Sequence, residues 1–353
     1  MSPRIYNFGA GPAMLPVSIL EEIQAEFLDW QHHGLSILEV GHRTPDFITL
    51  MEQGEALLRE LLGIPSHYHV LFLGSPARLH FAMVPLNLLL KHEQAAYVCS
   101  GTWSTQAYEE AKKMASVYAL SSDFKPHEIL DNTAYVYYTP NETIEGIQWS
   151  SVPDVQGRCL VADMTSCLLS EPINVADYGL IFAGAQKNIG PGGLTLVIVR
   201  DDVLRQVDST VPTFLDYRTH IAAHSLYATP PTFQCYFALK MFEWIKKQGG
   251  LQAMQALNAE KSKRLYAYLD QSSFYDASVK PGERSKMNVC FSLRDPTREK
   301  DFLVQAEHQG LYALKGHRLA GGIRASLYNA MPLEGVMALI EFMDTFAKGG
   351  AHA

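Results

Sequence analysis

The segment GLIFAGAQKNIGPGGLTLVIV, residues 179–199, contains two apolar β-type runs separated by a polar stretch that is rich in glycine. The first run ends at Gly184, Lys187 follows, and Gly-Pro-Gly-Gly leads into the second run. Open α/β sheets bind ligands beyond the carboxyl ends of their strands, and glycines let a ligand approach the backbone closely. Because a partly desolvated amine can lose its proton near neutral pH, Lys187 is a candidate nucleophile toward a carbonyl group.

The sequence around this segment alternates short β-type runs with longer amphipathic stretches. The earlier runs are HVLFL (69–73), AAYVC (95–99), AYVYY (134–138) and CLVAD (159–163). Several runs are apolar on both faces, which is typical of a mainly parallel sheet covered by helices. A helix over residues 105–114, with Ser104 as its N-cap, is predicted as one crossover.

The pattern changes after Pro230, where two long helical stretches cover residues 233–248 and 251–269. A strand at 287–293, a helix at 298–309, a strand at 322–327 and a helix from residue 332 follow. We therefore predict an α/β fold with a large domain, residues 16–250, and a smaller α/β carboxyl-terminal domain, residues 251–353. A helix over residues 16–30 is expected near the small domain, and residues 1–15 are expected near the active site.

Composition excludes several classes of protein. A net charge of -8 argues against a general nucleic-acid binder, which needs a surplus of Lys and Arg. Five scattered cysteines without a Cys-x-x-Cys pair indicate neither a disulfide framework nor a zinc site. Because no apolar run approaches the roughly 18 residues that span a bilayer, a cytoplasmic protein without a membrane partner is expected.

Three other side chains follow β-type runs at the same predicted sheet edge. Trp103 follows AAYVC, Thr143 follows AYVYY, and Asp163 ends CLVAD. An indole offers a flat apolar face, a hydroxyl offers a hydrogen bond, and a carboxylate can keep a ring nitrogen protonated. Each has an ordinary structural alternative: a core tryptophan, a turn residue, a cap, and, for Lys187, an exposed loop lysine. The four together favour a ligand site.

Seven separated segments carry a resemblance to a known family. They are NFGAGPAMLP (7–16), EVGHRTPDF (39–47), VLFLGSPARLHFAMVPLN (70–87), YTPNETIEGI (138–147), YGLIFAGAQKNIGPGGLTLVIVR (178–200), ATPPTF (228–233) and KGHRLAGGIRASLYNAMPLEGV (315–336). In these segments the chain resembles the phosphoserine aminotransferases, a family of class-V aminotransferases. The resemblance implies an enzyme that uses pyridoxal 5'-phosphate (PLP) and has fold type I, with a mainly parallel seven-stranded sheet between helices in its large domain.

The same resemblance implies a reaction and a partner. The amino group would pass between glutamate and 3-phosphohydroxypyruvate, with O-phosphoserine and 2-oxoglutarate as products, in serine biosynthesis. The 4-phosphohydroxythreonine step of vitamin B6 synthesis is expected as a second use of the site. A homodimer with active sites shared between subunits is implied, with no metal.

Residue roles also follow from the resemblance. Lys187 would hold PLP as a Schiff base, Asp163 would pair with the pyridine nitrogen, Trp103 would stack on the ring, and Thr143 would contact the phenolic oxygen. The cofactor phosphate would be held by Gln186, the backbone of Ala77 and Arg78, and Thr229 of the other subunit. Arg324 would bind the substrate α-carboxylate. The cationic pocket for the distal group would comprise His42, Arg43, Arg78, His317 and Arg318, with His42 and Arg43 from the other subunit.

The chain departs from the family pattern at two places. Relatives usually have a glycine-rich loop before the arginine, whereas this chain has Pro76, which lacks an N–H group, and the bulky Leu79. Ala228 stands where related enzymes often have asparagine. These changes predict weaker retention of PLP.

Two alternatives stay open at this point. Another class-V aminotransferase, of the serine or alanine type, would keep Lys187 and Asp163 but would not need two His-Arg pairs. A non-catalytic dimer with a degraded cofactor loop is the second alternative. A nucleotide enzyme is disfavoured, because neither Gly-x-Gly-x-x-Gly after a strand nor Gly-x-x-x-x-Gly-Lys-Ser/Thr is present.

Overall fold

The computed structural model of the protein describes residues 4–204 and 211–349. Within these ranges the helices are α1 (Val17–Glu26), α2 (Pro45–Leu62), α3 (His80–Leu88), α4 (Thr102–Ala111), α5 (Tyr217–Ala222), α6 (Thr232–Lys247), α7 (Gly250–Gln271), α8 (Glu299–His308) and α9 (Leu333–Gly349). The strands are β1 (Tyr6–Asn7), β2 (Tyr68–Leu73), β3 (Gln94–Val98), β4 (Val117–Leu120), β5 (Thr133–Tyr138), β6 (Asn141–Glu142), β7 (Ile147–Gln148), β8 (Cys159–Asp163), β9 (Leu180–Gly184), β10 (Thr195–Arg200), β11 (Tyr275–Ala277), β12 (Asn288–Leu293), β13 (Leu311–Tyr312) and β14 (Ile323–Ser326).

Seven strands form one sheet in the order β2-β10-β9-β8-β5-β3-β4. Neighbouring strands are parallel from β9 to β4, whereas β10 is antiparallel to both β9 and β2. The prediction of a mainly parallel seven-stranded sheet is therefore confirmed. Six strands coincide with the predicted runs. The seventh, β4, was missed because it is a short edge strand with one fully buried side chain, too short to be distinguished from a helical segment.

Helices cover both faces of this sheet. In β9, Ile181 and Ala183 enter the core formed with α1, α2 and α6, whereas Leu180 and Phe182 enter the core beneath α3 and α4. Successive side chains point to opposite faces of a strand, so a strand covered on both sides is apolar throughout. This arrangement explains the continuous apolar runs and leaves the ends of the strands as the place for polar side chains.

A separate core forms around the three-stranded sheet β11-β12-β14 with α8 and α9. The helices and strands predicted after residue 230 are confirmed to within a few residues. Helix α7 contributes Leu251 and Met254 to the large core, and Leu265 and Leu269 to this second core. The domain limits 1–15, 16–250 and 251–353 stay a prediction, and residues 1–3, 205–210 and 350–353 lie outside the described part of the chain.

The amino-terminal segment joins the two cores. Strand β1 pairs in parallel with β13, and Phe8 is fully buried in the second core. Helix α1 is shorter than the predicted span of residues 16–30, and Ile19 and Ile23 enter the large core, where the α1 side chain of Glu26 accepts a hydrogen bond from Tyr236 of α6. The expectation that this helix packs near the small domain is therefore wrong, because its apolar side chains pack in the large core beside α6.

None of the helices in the described ranges is both long and apolar enough to cross a membrane. Among the same residues, no cluster of His, Cys, Asp and Glu side chains has an arrangement that could hold a metal ion.

Candidate active site

A cavity of about 550 Å³ opens at the carboxyl ends of β5, β8 and β9. Nine of the predicted site residues line it: Ala77, Arg78, Trp103, Thr143, Asp163, Gln186, Lys187, His317 and Arg324. They come from segments spread over about 250 positions of the sequence. The fold brings them together because parallel strands end at one edge of the sheet.

Four predicted residues do not line this cavity. Thr229 lines a small neighbouring cavity, together with Gly74 and Ser75. Arg43 and Arg318 are exposed, and His42 is half-buried. Because Thr229, His42 and Arg43 were expected from a second subunit, their position in a single chain does not test that role.

Lys187 lies in the turn between the antiparallel strands β9 and β10 and is half-buried. Burial lowers the pKa of its amine to about 8; the Asp163 carboxylate opposes this change, and the Arg324 guanidinium adds to it. The Nζ atom lies 5.9 Å from the centroid of the Trp103 ring. About one-tenth of Lys187 is therefore neutral, and nucleophilic, at pH 7, far more than for a lysine with the ordinary pKa.

Asp163 is the last residue of β8 and is buried. Burial raises the pKa of its carboxyl group, and hydrogen bonds from Thr165 partly offset that rise. The Thr165 N–H group donates to Oδ1 at 3.0 Å, and the Thr165 hydroxyl accepts from the Gly184 N–H group at 3.1 Å. These bonds connect the ends of β8 and β9 and hold the carboxylate at the cavity wall.

The side chains of Trp103 and Thr143 are joined by a hydrogen bond. The indole Nε1 donates to the Thr143 hydroxyl at 2.9 Å. The main-chain carbonyl of Thr143 accepts from the Arg324 guanidinium at 3.0 Å. The Arg78 guanidinium lies over the Trp103 ring, 5.1 Å from its centroid. The aromatic surface and two cations are thus held in one connected group.

Helix α4, which carries Trp103, begins at Thr102 and not at the predicted residue 105. Ser104 therefore lies inside its first turn and is not its N-cap. The first N–H groups of the helix are bound by carboxylates from distant segments: those of Trp103 and Ser104 donate to Glu142, and that of Thr102 donates to Glu145. The predicted N-cap was a residue next to the helix, whereas the capping carboxylates lie about 40 residues further along the sequence.

Glu142 was not recognised from the sequence, although it directly precedes Thr143. Its side chain is fully buried, and burial raises the pKa of its carboxyl group to about 7, against the hydrogen bonds from Ser104 and Trp103. A Cβ atom added to Gly101 would lie 2.6 Å from Cγ of Glu142. Glycine at this position is what allows the carboxylate to reach the helix end.

The loop of residues 74–79 lies at the cavity wall, and we name it the phosphate loop after the role that the sequence predicts for Ala77 and Arg78. Residues Ala77–Leu79 form a turn of 3-10 helix that leads directly into α3. Pro76 occupies its N-cap, so the N–H group that proline lacks lies outside the helical turn. A Cβ atom added to Gly184 would lie 3.1 Å from Cβ of Ala77 and 2.6 Å from Oε1 of Gln186. Glycine at position 184 therefore allows Ala77 and the Gln186 side chain to pack closely against the end of β9.

Comparison with known proteins identifies the family of the chain. The sequence model of the class-V aminotransferases matches residues 5–339. A curated phosphoserine aminotransferase of Legionella pneumophila is 57% identical, with 99% of both chains covered, and one of Acinetobacter baumannii is 48% identical, with 98% of this chain and 99% of that protein covered.

Solved structures give the same result. The phosphoserine aminotransferase of Bacillus circulans subsp. alkalophilus superposes with a TM-score of 0.95 at 43% identity, over 98% of this chain and 99% of that one. The PLP-bound enzyme of Trichomonas vaginalis gives 0.92 at 38% identity, over 97% and 100%. Sequence and fold thus agree, and the chain belongs to the class-V aminotransferase family.

Proposed function

We propose that this chain is a PLP-dependent aminotransferase that transfers the amino group between glutamate and 3-phosphohydroxypyruvate. The observation that carries the proposal is the convergence of Lys187, Asp163 and Trp103 on one cavity that also contains Arg78 and Arg324. The relatives named phosphoserine aminotransferase, at 48–57% identity over their full length, support the choice of substrate.

The residues of the cavity match the parts of PLP. Lys187 would supply an amine for the aldehyde carbon, buried Asp163 would supply a negative charge for a pyridinium nitrogen, and Trp103 would supply a face for the ring. Ala77 and Gln186 line the same cavity, and Ala77 begins a helical turn, so these residues would hold the phosphate group of the cofactor. When bound, PLP acts as an electron sink that stabilises negative charge on the substrate α-carbon.

Lys187 has the properties of a proton carrier in this reaction. Because burial brings the pKa of its amine to about 8, it can both accept and release a proton near neutral pH. Buried Asp163 stabilises a positive charge beside it, since an unpaired carboxylate in such a position is unfavourable. Thr165 prevents the carboxylate from turning away.

Two sets of cations would bind the substrate. Arg324, braced on the Thr143 carbonyl, would bind the α-carboxylate, and its fork-shaped guanidinium suits that group. Arg78 and His317 line the same cavity and would bind the distal phosphate or carboxylate. We propose that His42 and Arg43 of a second copy complete this pocket in a homodimer, together with Arg318, and that Thr229 of the second copy binds the cofactor phosphate.

A cytoplasmic location and the additional use of 4-phosphohydroxythreonine belong to this proposal as predictions. The same cation set suits that substrate, because it also carries a phosphate group.

The direct test is glutamate-dependent amination of 3-phosphohydroxypyruvate by the purified protein with added PLP. We expect turnover and O-phosphoserine as the product. Equal or faster amination of pyruvate or hydroxypyruvate would instead assign an alanine- or serine-type activity. A protein that stays colourless with added PLP would indicate the non-catalytic alternative and refute the proposal.

A further inference from the structure

His80 is a buried side chain next to the cavity that the proposed reaction does not use. It is the first residue of α3 and follows the phosphate loop directly. One ring nitrogen, Nε2, lies 3.2 Å from the Ser75 hydroxyl, and the other, Nδ1, lies 2.7 Å from the Tyr217 hydroxyl. The ring also stacks against Phe182 and Tyr217, with centroid distances of 5.2 and 5.8 Å. We name this arrangement the His80 bridge.

The bridge is suited to a neutral imidazole. Burial, with a smaller effect of the nearby His220, lowers the pKa of His80 to about 3, so its ring is uncharged over the physiological range. A neutral imidazole has one donor and one acceptor nitrogen, and each hydroxyl can either donate or accept. Both hydrogen bonds are therefore satisfied whichever nitrogen carries the proton.

Ser75, at one end of the bridge, is fixed from three directions. Its hydroxyl bonds to His80, its carbonyl accepts from the Thr195 hydroxyl at 2.7 Å, and its N–H group donates to the Leu73 carbonyl at 2.8 Å. Pro76 then restricts the next backbone angle, immediately before the helical turn. The phosphate loop is thus anchored to β10, to the end of β2 and, through Tyr217, to α5.

We propose that His80 is a positioning residue that holds the phosphate loop in the conformation that binds the cofactor phosphate. This inference rests on the proposed function. A loop that is ordered before binding loses less conformational entropy when the ligand arrives, which favours affinity. The His80 bridge and Pro76 would therefore offset the missing glycines, so we expect firm retention of PLP in place of the weak retention predicted from the sequence.

The test compares two matched variants in the full-length protein. Tyr217→Phe removes one hydroxyl from the bridge and keeps the stacked ring. Tyr135→Phe is the control, because Tyr135 is equally buried, belongs to the same core and also loses one hydroxyl hydrogen bond of 2.7 Å, to Tyr97. The probes are PLP and pyridoxal, which reacts with the same lysine but has no phosphate group.

Tyr217→Phe is expected to weaken PLP binding by about three- to tenfold, the effect of one hydrogen bond, with no comparable change for pyridoxal. His80→Phe, which removes both bonds, should show a larger loss with the same selectivity. Tyr135→Phe should leave the ratio of PLP to pyridoxal affinity unchanged.

Equal losses for PLP and pyridoxal in Tyr217→Phe, or an unchanged PLP affinity, would overturn the inference while leaving the proposed function intact. Failure of the unsubstituted protein to bind PLP at all would instead refute the proposed function. Should His80→Phe not fold, the Tyr217→Phe and Tyr135→Phe pair alone decides the question.

Discussion

The indole nitrogen of Trp103 and the hydroxyl of Thr143 are joined by a hydrogen bond of 2.9 Å that connects the first turn of α4 to the segment after β6. Since the carbonyl of Thr143 also accepts from Arg324, one residue orients both the proposed stacking ring of Trp103 and the proposed carboxylate-binding cation. The Trp103 ring and the Arg324 guanidinium therefore keep a fixed relative position. Recognition of a substrate attached to a cofactor stacked on Trp103 would require such a fixed position.

Thr143→Val tests this connection. The change keeps the side-chain shape but leaves the indole N–H group without its acceptor, so we expect a loss of about 1 kcal/mol in the free energy of unfolding and a shift in tryptophan fluorescence. Thr133→Val is the control, because the buried Thr133 hydroxyl also bonds to an aromatic side chain, Tyr118, at 2.8 Å. An unchanged fluorescence spectrum in Thr143→Val would contradict the structural connection.

Covalent attachment of PLP should occur at Lys187 and not at Lys261. Burial also lowers the pKa of the Lys261 amine, to about 7, so a lowered pKa alone does not distinguish the two lysines. Lys261 donates to three main-chain carbonyls in a fully buried position away from the cavity, and PLP cannot reach it. After borohydride reduction, peptide mapping should find the cofactor on Lys187 alone, and Lys187→Ala should abolish both the adduct and turnover. An adduct on any other lysine would refute the assignment.

The rate of PLP capture should rise with pH around a midpoint of about 8, the pKa of the Lys187 amine. Because this pKa lies below its ordinary value, the reactive neutral form is about one-tenth of the total at pH 7 and about nine-tenths at pH 9. Asp163 stabilises the charged amine and Arg324 destabilises it, so Asp163→Asn should move the midpoint to lower pH and Arg324→Gln to higher pH. Stopped-flow absorbance at several pH values measures this, and shifts of the same sign in both variants would disprove the pairing.

Because of Glu142, the free energy of unfolding should decrease as the pH rises from 4.5 to 7. Its folded pKa of about 7 exceeds the ordinary value of 4.5, so the folded state holds more protons in this window and loses stability as they leave. The expected slope reaches about 1.4 kcal/mol per pH unit at most. Glu142→Gln should reduce the slope in urea unfolding, whereas Glu21→Gln, at an exposed position, should follow the unsubstituted protein. A slope that persists in Glu142→Gln would contradict this account.

Removing a distal cation should affect charged substrates selectively. A charge-assisted hydrogen bond contributes roughly 1.5 to 3 kcal/mol, so Arg43→Ala, Arg78→Ala or Arg318→Ala should lower kcat/KM for O-phosphoserine by about ten- to a hundredfold. Activity with alanine should barely change, because alanine makes no such contact, and discrimination against it should be large in the unsubstituted enzyme. Equal losses for both substrates would rule out a role in specificity.

The same variants test the shared site. If Arg43 acts in the cavity of a second copy, a heterodimer of Arg43→Ala and Lys187→Ala chains contains one site with both residues intact. Mixing the two chains should therefore recover part of the activity that each homodimer lacks. Heterodimers verified by mass that recover none would show that Arg43 and Lys187 do not act across an interface.

Much of the fold and the central part of the site follow from local sequence. Continuous apolar runs identified six strands of the large sheet, and positions at or shortly after the ends of β5, β8 and β9 identified Thr143, Asp163 and Lys187 as neighbours. This works because side-chain alternation and strand burial repeat over a few residues, and because parallel strands present their ends at one edge. Edge strand β4 and the extent of α1 were less predictable, since packing on distant elements sets them.

The sequence by itself thus determined the α/β fold, the candidate nucleophile and its carboxylate, because each depends on residue type and short-range order. Only the tertiary structure decided how these groups are held. The carboxylate that caps α4 comes from Glu142, about 40 positions away, and the phosphate loop is anchored through His80 to Tyr217, 137 positions further on. From sequence alone, Pro76 and Leu79 indicated a weakened loop. Hydrogen bonds and desolvation act between residues that are distant in sequence and leave no local sequence pattern. The residues that hold the site in place could therefore be identified only from the tertiary structure.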